Sequence, residues 1–174
     1  SVTQAAGTHV ILPRFELPDV LEAIAREQVS IATFVPTMLR NILDRDDLER
    51  FDLSSLRHIT YGAAPMPAAL LGEAMAKLPE VDFVQSYGMT ETSPIATILG
   101  AAEHRDPAGS KLRSAGRAAL LAELRVVDPA GLPVPTGMRG EVVVRGPMVM
   151  LGYWRQPEAT ADAIRNGWMH TGDI

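Results

Sequence analysis

The sequence predicts an α/β fold: a partly parallel sheet with flanking helices, followed by a small β-rich unit. Two observations carry that prediction. Short apolar, β-branched runs alternate with helical patterns up to about Arg105, and beyond it Gly- and Pro-marked turns separate β-branched runs. Strands that alternate with helices are joined by crossovers, so neighbouring strands run parallel and both sheet faces are covered.

Taken in order, His9-Val10-Ile11-Leu12 reads as a first strand. Asp19 is a candidate cap for a helix over 19–28, with Val20, Leu21, Ile24 and Ala25 on one face. Residues 30–35 read as a strand that Pro36 stops, and 37–43 as a helix. A strand over 57–61, a helix over 67–78 with Pro67 in its first turn, and a strand over 81–85 follow. In the second part, 124–127 and 141–145 read as strands separated by the loop 129–139. Its turns are marked by Asp128-Pro129-Ala130-Gly131 and Pro135-Thr136-Gly137. Residues 157–165 read as a short helix before a turn at Trp168. The expected division is 1–105 and 106–174, with no internal repeat.

With 174 residues and 47% hydrophobic content, the chain has enough apolar surface for a sizeable core. A formal net charge of -5 and the lack of a basic run speak against a nucleic-acid groove and against an anionic membrane surface. No cysteine is present, which excludes internal disulfides, thiolate metal sites and thiol nucleophiles. Any thiol chemistry must use an external thiol. No apolar run is long enough for a membrane span and no secretory start is seen, so a cytoplasmic location is expected. The chain begins in mid-pattern without Met and stops at Thr171-Gly172-Asp173-Ile174, the pattern expected of an excised piece of a longer protein. Cut strand edges and uncovered apolar patches would then promote self-association.

The richest run is Gln85-Ser86-Tyr87-Gly88-Met89-Thr90-Glu91-Thr92-Ser93-Pro94, which leaves a predicted strand at its carboxyl end. It sets an aromatic plate, a hydroxyl and a carboxylate on one turn. A ring can cover adenine, a hydroxyl can bond a phosphate oxygen, and a carboxylate can supply one of the few protein ligands that Mg²⁺ takes beside phosphate and water. A plain polar strand-to-loop turn would carry the same residues. Upstream, Tyr61-Gly62-Ala63-Ala64-Pro65-Met66-Pro67 also leaves a strand, and ligands of open parallel sheets sit beyond carboxyl ends. Gly62, Ala63 and Ala64 would let a flat ligand approach the backbone, although a tight strand-to-helix turn closed by Pro65 and Pro67 needs the same residues.

Together with Gly140-Glu141-Val142-Val143-Val144-Arg145-Gly146-Pro147 and Gly167-Trp168-Met169-His170-Thr171-Gly172-Asp173-Ile174, these blocks resemble the adenylate-forming superfamily of acyl-CoA synthetases, luciferases and peptide-synthetase adenylation domains. The resemblance covers nearly the whole chain and runs most towards the fatty-acid–CoA ligases. It implies an acyl-CoA synthetase-like fragment with a distorted, barrel-like β-rich part. It also implies that Gly62, Ala63 and Ala64 line the adenine and acyl side, and that Tyr87 and Gly88 lie against adenine. Thr90 would contact the α-phosphate, Glu91 would hold Mg²⁺ and Asp173 would accept hydrogen bonds from both ribose hydroxyls. The substrates so implied are ATP, a carboxylic acid, expected to be a fatty acid, and coenzyme A. The family's phosphate loop would precede Ser1, and its late Lys and C-terminal domain would follow Ile174. The 174-residue chain alone is therefore expected to be inactive.

Other features carry less. His9, His58, His104 and His170 lack metal-ligand spacing and are expected at the surface or as satisfied core side chains. Glu141 is expected to serve the fold of the β-rich part. Met148, Met150, Tyr153 and Trp154 read as core packing before the border of an acyl tunnel. Ser114-Ala115-Gly116-Arg117 resembles the family's entrance to the β-rich unit, and the resemblance weakens just after it, because Ala118, Leu120 and Leu121 stand where family members commonly have Pro, Pro and Gly. Two other functions fit the residues: an amino-acid adenylation domain, and a non-catalytic nucleotide-binding or interaction module.

Overall fold

The computed structural model describes residues 2–106, 108–109 and 111–174. They form two compact units, one containing the chain up to Gln85 together with Gly100–Arg113, the other Ser86–Leu99 and Ser114–Ile174.

In the first unit, helix α1 (Leu17–Arg26) starts two residues before the expected cap, with Pro18 in its first turn, where a missing N–H costs nothing. Asp19 near its start and Arg26 in its last turn both complement the helix dipole. Its buried face is Val20, Leu21, Ala23 and Ile24. Strand β1 (Ile31–Phe34) follows, then helix α2 (Pro36–Leu43). Pro36 both ends the strand and opens the helix, because its fixed φ suits a first helical turn as well as it breaks a ladder. Strand β2 (His58–Gly62) pairs with β1 in parallel register, Ile31 opposite His58 and Phe34 opposite Tyr61. Helix α3 (Ala68–Lys77), strand β3 (Asp82–Tyr87), which belongs to this unit up to Gln85, and the one-turn helix α4 (Ala101–His104) follow. The strand order is β1, β2, β3.

Its core gathers Leu21, Leu39, Leu43, Ile59, Tyr61, Leu71 and Phe83. Tyr61 is fully buried, so its hydroxyl needs a partner and finds His104 Nε2 at 2.7 Å. The other ring nitrogen, Nδ1, donates to the Gly100 carbonyl at 2.7 Å, which leaves Nε2 as acceptor in the neutral ring. Burial pushes the Tyr61 phenol up to about 12. His104 is thus the satisfied core histidine expected. The expected strand over His9-Val10-Ile11-Leu12 does not form; these residues join no ladder and Ile11 is 85% exposed. β1 stands at the sheet edge and pairs with β2, and a run that does not add to its ladder leaves its backbone groups to water.

In the second unit the end of β3 continues at Ser86 and Tyr87, and the Tyr87 carbonyl accepts the Ala96 N–H at 2.8 Å. Strand β4 (Thr97–Leu99) pairs antiparallel with β5 (Arg117–Ala118). Gly116, just before β5, has φ +93, and a Cβ there would stand 2.1 Å from the Ile98 carbonyl oxygen. Sterics alone thus require glycine at this entrance to the β-rich part. At Leu121 the departure from the family pattern shows in the backbone: φ is +69, a conformation that costs a side-chain-bearing residue about 1–2 kcal/mol.

Strands β6 (Glu123–Val127) and β7 (Glu141–Arg145), helix α5 (Pro157–Ala163), and strands β8 (Ile164–Arg165) and β9 (Trp168–His170) follow. The strands order as β6-β7-β9-β8 with antiparallel neighbours. The helix expected over 157–165 ends at Ala163, and the expected turn at Trp168 is a strand. The reason is Asn166-Gly167, with φ of +51 and +77 respectively. Two successive positive φ values suit the tight hairpin turns whose twist matches paired strands, so the chain folds back and β8 meets β9. Val144 and Met169 are the buried centre. The Arg125 and Arg145 guanidinium carbons lie 4.3 and 4.5 Å from the Trp168 ring centroid, within cation–π range.

Candidate functional site

The residues singled out by sequence fall in both units. Gly62, Ala63 and Ala64 follow Tyr61 in the first; Gly62 ends β2 buried, while Ala63 and Ala64 are exposed. Ala63 has φ +62, so the loop holds a strained alanine where the strand ends.

In the second unit Tyr87 closes β3, and Gly88 turns the chain away. A Cβ at Gly88 would lie 1.9 Å from the Pro94 carbonyl oxygen and 2.9 Å from the Ala96 nitrogen. Gly88 is therefore required by the returning backbone, a role that sequence reasoning did not give it. Residues Thr90–Thr92 form one 3-10 turn, closed by the Thr92 N–H on the Met89 carbonyl at 2.9 Å. The Thr92 side chain is fully buried and takes the Met89 N–H at 3.1 Å. With Thr92 anchoring the turn inside, Thr90 is left exposed and Glu91 half-buried.

Asp173 and Tyr87 meet: the phenol donates to Asp173 Oδ2 at 2.6 Å across 86 residues of sequence. Burial first, and then this carboxylate, push the Tyr87 phenol up, which keeps it a neutral donor. An ionised carboxylate has about four lone-pair sites, so one hydrogen bond leaves acceptor capacity on both oxygens.

The segment carrying Asp173 is tied to β7. The Val142 N–H donates to the Asp173 carbonyl at 2.9 Å, and the Thr171 hydroxyl donates to the Val142 carbonyl at 2.7 Å. Glu141 adds two further bonds, accepting His170 Nδ1–H at 2.7 Å and the Gly172 N–H at 3.0 Å, with Arg165 at 3.7 Å. Partial burial raises the Glu141 carboxyl, but His170, the Gly172 amide and Arg165 together outweigh it and hold it below the usual range. Glu141 serves the fold, as expected, and does so by holding the segment that ends in Asp173.

Sequence reasoning placed Tyr153 in an apolar cluster, but its hydroxyl donates to Glu91 Oε1 at 2.8 Å. Met148 and Met150 pack against the Val144 and Met169 core, whereas Trp154 is 82% exposed and does not pack in the core. A phenol among methionines reads as packing until the fold shows what its oxygen reaches. Among the described residues no three His, Cys, Asp or Glu side chains converge as a metal cluster. A single carboxylate such as Glu91 fits Mg²⁺, which takes one or two carboxylates and completes its octahedron with phosphate oxygens and water.

The family model for AMP-binding enzymes matches residues 1–154, and the chain belongs to that family. Among curated relatives, a feruloyl-CoA synthase of Amycolatopsis sp is 41% identical over 168 residues, 97% of this chain and 33% of its own length. The medium/long-chain-fatty-acid–CoA ligase FadD8 of Mycobacterium tuberculosis is 35% identical, over 97% of this chain and 29% of its own. Among solved structures, the amide bond synthetase McbA from Marinactinospora thermotolerans superposes with a TM-score of 0.87 at 37% identity, covering 95% of this chain and 33% of that one. The chain spans about a third of the length of these relatives.

Proposed function

We propose that the chain is the nucleotide-holding part of a longer ATP-dependent ligase that joins a carboxylic acid to coenzyme A. The observation that carries the reading is the Tyr87 to Asp173 hydrogen bond, because it sets an aromatic face and an acceptor carboxylate side by side within one unit. That pair suits the two halves of one nucleoside: the ring lies against adenine and Asp173 accepts the ribose hydroxyls. In the first step the acid's carboxylate oxygen attacks the α-phosphorus of ATP, and the bond to the bridging oxygen breaks to release pyrophosphate. In the second, the thiol sulfur attacks the acyl carbon, AMP leaves, and the thiol proton passes to solvent. Thr90 donates its hydroxyl to the α-phosphate, from the same unit as Tyr87 and Asp173. Glu91 would hold Mg²⁺, which supplies charge stabilisation for the phosphates.

The acid is proposed as an apolar carboxylic acid. The feruloyl-CoA synthase is 41% identical against 35% for the fatty-acid ligase, which widens the fatty-acid expectation and puts aromatic acids first. The amide bond synthetase likeness favours a second reading of the final step, transfer to an amine in place of the thiol. Acid-dependent exchange of pyrophosphate into ATP by the longer enzyme, over a panel of aryl and fatty acids, tests the first step. Trapping the adenylate with coenzyme A or with an amine tests the second. Failure of every acid to support exchange would end the ligase reading.

A further inference from the structure

The stretch 146–153 grips Glu91 twice. The Met150 N–H donates to the Glu91 carbonyl at 2.8 Å, and the Tyr153 hydroxyl donates to Glu91 Oε1 at 2.8 Å. Tyr153 is fixed in turn, for its own N–H donates to Thr160 Oγ1 at 2.9 Å, and that hydroxyl donates to the Gln156 carbonyl at 2.8 Å, at the start of α5. Gly152 lets this happen: a Cβ there would lie 2.7 Å from Thr160 Cγ2 and 2.9 Å from Thr160 Oγ1. Half-buried Glu91 is thus held at its carbonyl by the Met150 N–H and at its carboxylate by a phenol whose own backbone is tied to the start of α5.

We propose that Tyr153 is a positioning residue for Glu91, holding one carboxylate oxygen by hydrogen bond so that the other is presented to a divalent cation in a fixed orientation. The proposal rests on the reading of Glu91 as the cation's carboxylate. A free glutamate has three side-chain torsions to order when a metal arrives, and a hydrogen bond that orders them beforehand removes that cost from binding. The pairing also acts back on the phenol: the hydrogen bond from Tyr153 to Glu91 and the carboxylate's charge hold Tyr153 in its neutral donor form.

Two measurements test this. In the 174-residue chain, which holds three tyrosines, alkaline phenolate titration by absorbance is compared among wild type, Glu91→Gln and Tyr153→Phe. The expected result is that Glu91→Gln lowers the midpoint of one tyrosine and that Tyr153→Phe removes that same transition; unmoved midpoints in Glu91→Gln would overturn the pairing. In the longer enzyme, Tyr153→Phe should raise the Mg²⁺ concentration for half-maximal adenylation about tenfold, with KM for the acid unchanged. The double variant Glu91→Gln/Tyr153→Phe should be no slower than Glu91→Gln alone. Rate losses that multiply, or an unchanged Mg²⁺ requirement in Tyr153→Phe, would show that the phenol acts independently of Glu91. An enzyme that adenylates no acid would sink the ligase reading, and the titration would still decide the pairing.

Discussion

Replacing Glu141 by Ala removes the clamp that ties the Asp173 segment to the second unit's sheet. The carboxylate accepts two bonds, from His170 Nδ1 at 2.7 Å and from the Gly172 N–H at 3.0 Å. Hydrogen bonds to charged groups contribute about 1.5–3 kcal/mol each, so the upper bound is about 6 kcal/mol. The Glu141 side chain is 27% exposed, and water can replace part of what is lost. The Val142 to Asp173 backbone bond also survives the change. Discounting for both gives about 2 kcal/mol. With a urea slope of about 2 kcal/mol/M for a chain of this size, the midpoint should fall by about 1 M. The pH dependence has a definite sign. The Glu141 carboxyl is lowered in the fold, so its contribution is complete above the unfolded value and is lost as pH falls through the folded one. The gap between wild type and Glu141→Ala should therefore be full at neutral pH and close below about pH 4. Equal midpoints at neutral pH, or a gap that survives undiminished in acid, would refute the account of this clamp.

Four further outcomes are expected. Glu91→Gln in the longer enzyme should slow adenylation about 10²-fold, or about 2.7 kcal/mol, with a far smaller effect on ATP affinity, as read by single-turnover kinetics in saturating Mg-ATP. The 174-residue chain should show no acid-dependent pyrophosphate exchange, because positioning and charge stabilisation need groups beyond it; radiolabel incorporation above a no-acid control would contradict this. Gly88→Ala should destabilise the chain by about 3 kcal/mol or more, since the new methyl would meet the Pro94 carbonyl, and an unchanged urea midpoint would refute the close approach. Leu121→Gly should raise stability by about 0.5 kcal/mol: it relieves the left-handed backbone of an exposed residue but frees the unfolded chain, and a lower urea midpoint would count against the strain.

Much of the fold follows from local chemistry. Pro36 and Pro67 mark helix starts, β1, β2, β3 and β6 fall within a residue or two of their expected runs, and β7 is legible to the residue as Glu141–Arg145. Asn166-Gly167 also carried a hairpin signal, which a helical reading of 157–165 concealed. The run Tyr87-Gly88-Met89-Thr90-Glu91 and Asp173 stand out only through the company of the other blocks, because a plain polar turn would carry the same residue types.

What the sequence by itself determined is therefore the alternation of elements, the family blocks and the residue types offered for nucleotide chemistry. Only the tertiary structure decided which of them touch. Asp173 reaches Tyr87 across 86 residues, and Tyr153 reaches Glu91 across 62. Both contacts depend on how distant segments are held against their neighbours, Asp173 through the register that sets Val143 opposite His170. A slip of one residue in that register would turn each side chain of the strand to the other face. The physical reason is range: propensity and turn chemistry act over a few residues, whereas a hydrogen bond at 2.6–2.8 Å between remote side chains exists only once packing has fixed both backbones.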